Sequence, residues 1–227
     1  FVTGSGDLRL VHEADLHISL TNAFLEVAKA EGAREKDQTA SPHEQKALEE
    51  AEQHLTSARA LLSQCDDDSD GVEGLKLLAL HSEAFLQIAK RDYKAAKTIL
   101  WESLHRSVVT LEASGGDLKR SEHSLHNLIE AVHIAHEQTD DRVGLEQFMG
   151  ILERLISVLR RFGDDDGDGI RSRLLERIAL ICVATGREND LTLAKKVFLH
   201  FPRARESPNL RLLLGMLQSA GTFLDLD

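Results

Sequence analysis

Apolar residues recur at helical spacing along almost the whole chain, and no stretch alternates apolar and polar positions for long enough to make a strand. The pattern predicts an all-α fold of about nine helices. Residues 7–31 form the first, with Leu8, Leu10, Leu16, Ile18, Leu20, Ala23, Phe24, Val27 and Ala28 as a broad apolar face and Gly32 as its stop. After the polar stretch 33–41, Ser41-Pro42 has the order of an N-cap followed by a first-turn proline. The second helix then runs to about Leu62, burying Ala47, Leu48, Ala51, Leu55, Ala58 and Leu62.

The stretch Val72–Leu111 reads as two antiparallel helices around Arg91-Asp92. In the first, Lys76, Glu83, Gln87 and Lys90 share a narrow polar strip, while Leu75, Leu78, Ala79, Phe85, Leu86, Ile88 and Ala89 cover most of the remaining surface. In the second, Ala96, Ile99, Leu100, Ser103, Leu104, Ser107, Val108 and Leu111 line one stripe. A fifth helix from Asp117 to about Gln138 buries Leu118, Leu125, Leu128, Ile129, Val132 and Ala135. A sixth, over 143–162, turns Leu145, Phe148, Met149, Ile151, Leu152, Leu155, Ile156 and Leu159 inward. Ile170–Thr185, Leu191–Phe201 and Asn209–Ser219 complete the set, with Gly186 and Pro202 as stops.

The join at Arg91-Asp92-Tyr93-Lys94-Ala95-Ala96 resembles the turn and second-helix start of a tetratricopeptide (TPR) unit. Ala84, Ala96 and Ser103 are small where two helices of such a unit approach closely, and Leu80 and Leu100 fill large-residue positions. Glu83 and Gln87 stand where that pattern usually has apolar residues. Ile170–Phe201 repeats part of it, with Cys182 and Ala194 small and Phe198 answering Leu100. The resemblance implies stacked antiparallel pairs in one α-solenoid domain spanning residues 1–227. The order of elements, from Leu8–Ala30 through LKLLALHSEAFLQIAKRDYKAAKTIL to FMGILERLISVL, also resembles the meiosis-specific sporulation-type TPR proteins that promote crossover formation and synapsis. That resemblance implies a non-enzymatic nuclear scaffold joining crossover factors to chromosome-axis or synaptonemal-complex proteins. The TPR register sends His81 and Phe85 toward an inner groove, and the polar stripe His126, Glu130 and His133 is the corresponding candidate on the fifth helix.

Composition narrows the functional classes. The 227 residues are 42% hydrophobic with 3 Pro, enough for a sizeable core. A formal net charge of −11 argues against a sequence-independent grip on nucleic acid, which needs a Lys/Arg surface. Other proteins or peptide segments are the expected partners, with no membrane and no small-molecule substrate. Cys65 and Cys182 lack metal-ligand spacing and suggest a reducing, intracellular setting, either nuclear, if the meiotic resemblance holds, or cytoplasmic. The start at Phe1-Val2-Thr3, without an initiator Met, suggests a piece of a longer protein.

Two loops, Asp66–Val72 and Asp164–Ile170, begin as calcium loops do, with carboxylates at alternate positions and a turn glycine. Leu77 and Leu175 stand where the closing bidentate acid belongs, so both read as acidic turns. Glu102-x-x-His105 and Glu130-x-x-His133 match the ligand spacing of di-iron bundles, but no further pair of inward Glu completes a set. A metal-binding helical bundle is the alternative of a different class, and a general TPR adaptor of a cytosolic complex the alternative of the same class. No nucleophile elbow, phosphate loop or cofactor fingerprint is present, so neither catalytic residues nor a cofactor are nominated.

Overall fold

The computed structural model describes residues 5–32, 41–65, 70–114, 118–139, 142–161 and 170–185, together with Thr192, Leu193, Ala194, Val197 and Gly215. These form seven continuous helices: α1 (Ser5–Gly32), α2 (Pro42–Leu62), α3 (Asp70–Ala89), α4 (Tyr93–Ser114), α5 (Leu118–Thr139), α6 (Arg142–Leu159) and α7 (Ile170–Thr185). No strand occurs among the described residues. Of the expected eighth and ninth helices only those five positions are described, and they are helical. The chain divides into two compact units, Phe1–Ser103 and Leu104–Asp227, with the division inside α4.

In the first unit α1, α2 and α3 each pack on the other two. α1 and α2 run antiparallel, because positions that rise along one helix fall along the other: His17 meets His54 and Thr21 approaches the carbonyl of Ala51. Arg59 with Glu83 and Glu52 with Lys90 set α2 against α3 in the same sense. Alanines line the core around the α1–α2 seam, since Ala14 and Ala28 of α1 and Ala47, Ala51 and Ala58 of α2 are all buried in it with Ile18, Leu25 and Leu55. A helix surface of methyl groups lets two axes approach to the short end of the usual 8–10 Å range.

Local chemistry begins and ends these helices where the residues allow. Ser41 is extended (φ −66°, ψ 154°), and its Oγ accepts the Glu44 N–H at 3.0 Å, with Pro42 in the first turn. Glu44 is itself buried and lies against the end of α1, where a Cβ on Gly32 would sit 3.1 Å from its Oε1. Between α3 and α4 the Asp92 N–H donates to the Gln87 carbonyl and the Arg91 N–H to that of Ile88, each at 2.9 Å. This is a Schellman closure with Arg91 at φ 60°, a left-handed position usually held by glycine. Asp92 then caps α4, its Oδ1 accepting the Ala95 N–H at 3.0 Å.

The first helix departs from expectation. Its buried line is Ala14, Ile18, Thr21, Leu25 and Ala28, spaced alternately by four and three, whereas Leu8, Leu16 and Val27 are 57%, 58% and 49% exposed. Two apolar stripes run along α1, and only one is buried against α2 and α3; Val27 of the other lines a groove beside α2. Thr21 joins the buried one because its hydroxyl donates to the His17 carbonyl at 2.9 Å. On α3, Leu78 is 39% exposed while His81 and Ser82 are buried, and the Ser82 hydroxyl donates to Asn22 Oδ1 across to α1 at 2.8 Å. The α2 face is as expected, each of the six positions predicted to face inward being buried, with Glu44 added at its start.

In the second unit α5 packs on α6 and α7, and α6 on α7. Leu125, Leu128, Ile129, Val132 and Ala135 of α5 are buried, as are Phe148, Leu152, Leu155, Ile156 and Leu159 of α6 and Leu174, Leu175, Ile178 and Ala179 of α7. His136 is buried too, its ring stacked on Phe148 with centroids 5.8 Å apart. Glu112, near the end of α4, takes Arg154 Nε at 2.9 Å and Arg161 at 3.7 Å. Cys65 and Cys182 are free, buried thiols.

Candidate functional site

The five residues nominated from the sequence fall into two local settings, one in each unit. His81 is only 7% exposed, and α3 holds it inside the first unit. Burial removes water from the imidazole and lowers its pKa from 6.5 to about 4, so the ring is neutral at physiological pH. A partner approaching through solvent meets little of it. Phe85, one turn later, is half-buried against the cluster formed by α1, α2 and α3.

The α5 stripe is accessible. His126 lies 4.0 Å from Glu130, and both side chains keep about two fifths of their surface in water. Glu130 is engaged from α7 by Arg177, at 2.6 Å. That contact gives the carboxylate a cationic partner where a di-iron reading would need it free to hold metal. His133 sits deeper, 3.7 Å from Glu137. The result is a polar ridge of imidazoles and carboxylates along one side of α5, anchored at its middle by a guanidinium. Its chemistry suits hydrogen bonding to a polar partner surface, with each exposed pair adding ~0–1 kcal/mol.

Two surface features escape sequence reasoning. One is the outer stripe of α1, where Leu8, Leu16 and Val27 face water. The other is a groove of about 680 Å³ between the C-terminal half of α1 and the N-terminal half of α2, lined by Phe24, Val27, His43, Lys46, Ala47 and Glu50. Val27 belongs to both, so apolar surface continues from stripe to groove. The four-three recurrence of Ala14, Ile18, Thr21, Leu25 and Ala28 was the available signal, since it leaves Leu16 and Val27 on the opposite side.

The acidic loop residues 66–69 and 164–169 lie outside the described residues, as does Phe198. Among the described residues no helix is long and apolar enough to cross a membrane, and no three His, Cys, Asp or Glu side chains gather as a ligand set. No protein-family model matches the chain, and no curated protein or solved structure matches it either.

Proposed function

We propose that this chain is a non-enzymatic protein-interaction scaffold built from TPR-like stacked helix pairs. The observation that carries the reading is the packing of α3 across both members of the α1–α2 pair, with α7 set in the same way on α5 and α6. A third helix that touches both helices of the preceding pair is the relation a stacked-hairpin array requires. The three-residue turn from α3 to α4, closed by Arg91 and capped by Asp92, supports it locally.

In its narrower form the proposal places the scaffold on meiotic chromosomes, joining crossover factors to axis or synaptonemal-complex proteins. The support for that form is the order of elements set out above. Affinity capture of the full-length protein from meiotic cells, followed by mass spectrometry, tests both levels. Enrichment of axis or crossover proteins is expected, and recovery of a purely cytosolic complex would favour a general adaptor instead. The surface is tested with His126→Ala, Glu130→Ala and His133→Ala combined. Loss of captured partner with an unchanged circular dichroism spectrum is the expected result, whereas full retention of partner places the binding surface away from α5.

A further inference from the structure

The seam between α1 and α2 contains one polar cluster that the scaffold reading leaves unused. His17 and His54 face each other across it, with their Nδ1 atoms 2.9 Å apart and their ring centroids at 5.1 Å. Phe24 stacks on His54 at 5.6 Å, nearly parallel at 14°, and restrains that ring from one side. Both histidines are only partly buried, so solvent reaches the pair. The rings come from two helices that share one core, His17 from α1 and His54 from α2.

We infer that His17 and His54 form a cross-helix site for a tetragonal divalent transition-metal ion, Cu²⁺ or Ni²⁺, completed by water. Metal–imidazole bonds are about 2.0–2.1 Å long, so two nitrogens 2.9 Å apart subtend about 90° at a shared ion. That is the angle between neighbouring ligands in a tetragonal complex, the geometry of Cu²⁺ and Ni²⁺ with nitrogen and oxygen donors. A tetrahedral Zn²⁺ site needs a nitrogen separation of about 3.3 Å at the same bond length, wider than the 2.9 Å of this pair. Imidazole is a preferred ligand for all three ions, so angle rather than ligand type decides among them.

Protonation balances simply. In the hydrogen-bonded pair one Nδ1 carries the proton and the other accepts it. To bind the ion, the donor ring loses its Nδ1 proton to water and takes one up at Nε2. Both rings then turn, by up to about 45° from the line of the hydrogen bond, so that their Nδ1 lone pairs converge on the metal as neutral ligands. No net proton is released when both imidazoles start neutral. Since no third protein ligand gathers among the described residues, water fills the remaining positions, and the ion would act as a clip between α1 and α2.

Titration calorimetry of the full chain with NiCl₂, CuCl₂ and ZnCl₂ tests the site, and the 11 histidines of the chain make comparison with variants essential. His17→Gln and His54→Gln, each checked for folding by circular dichroism, should weaken the tightest Ni²⁺ and Cu²⁺ event by more than ~10-fold. Cu²⁺ electron paramagnetic resonance of the unaltered chain should show two equivalent imidazole nitrogens, and each variant should retain one. If a glutamine variant unfolds, His17→Ala or His54→Ala takes its place in the comparison, and loss of one of the two nitrogens in the folded variant is still the expected result. Binding that persists unchanged in both folded variants, absence of any saturable event, or Zn²⁺ binding tighter than Ni²⁺ would each overturn the assignment.

Discussion

Acid should destabilise this protein through His81, because the folded state holds that imidazole neutral while the unfolded chain does not. The folded pKa of about 4 lies below the ordinary 6.5, so the group's contribution is complete above pH 6.5. As pH falls from 6.5 toward 4, the unfolded chain takes up a proton that the folded state refuses, and the contribution is lost. At 1.36 kcal/mol per unit the full loss is about 3 kcal/mol, and about 2 kcal/mol of it is gone by pH 5. For a chain of this size that corresponds to a melting temperature lowered by roughly 4–8 °C at pH 5. Other groups titrate over the same interval, so the assay is a difference. Urea unfolding of the unaltered chain and of His81→Gln, followed between pH 7.5 and 4.5, should give curves that converge as pH falls. Gln fits a similar volume and keeps hydrogen-bonding capacity without a titrating ring. Parallel curves would refute the reasoning, since they would mean that His81 takes up its proton equally in the folded and unfolded states.

Two further substitutions probe the helices. Ser41→Ala removes the side-chain acceptor of the Glu44 N–H and should lower stability by about 1 kcal/mol in denaturant unfolding, with most of the loss restored by Ser41→Asp. Ala96→Leu adds bulk at a position with no exposed surface and should cost ~1–3 kcal/mol by overpacking, so an unchanged melting temperature would put Ala96 on the outside of α4.

How much could be read in advance depended on whether polarity and burial agree. On α2 they do, because Ser41-Pro42 announces the start and Ala47, Leu48, Ala51, Leu55, Ala58 and Leu62 share one side, so both boundary and core face follow from spacing alone. α1 carries apolar residues on two sides, and bulk is a poor guide to which is covered: the core takes Ala14, Thr21 and Ala28 over Leu8, Leu16 and Val27. His81 and Ser82 look like surface residues by type, yet both are buried, and the Ser82 hydroxyl finds its partner on Asn22 of α1, 60 positions away. The polar stripe on α5 was visible from its helical spacing. The hold of Arg177 on Glu130 was not, since it joins residues from different helices.

The alanine seam bears on entropy as well as on distance. An alanine side chain has no rotamers to lose on folding, whereas each Leu or Ile fixed in a core loses about 0.5–1 kcal/mol of rotamer freedom. At Ala14, Ala28, Ala47, Ala51 and Ala58 the first unit buries apolar surface at almost no side-chain entropic penalty, a penalty that Ile18, Leu25 and Leu55 beside them do incur. The same contact has no alternative rotamers through which to absorb a disturbance. The first unit is therefore held along this line by shape rather than by bulk: an added methylene has nowhere to turn, and a shift of one helix is passed directly to its neighbour.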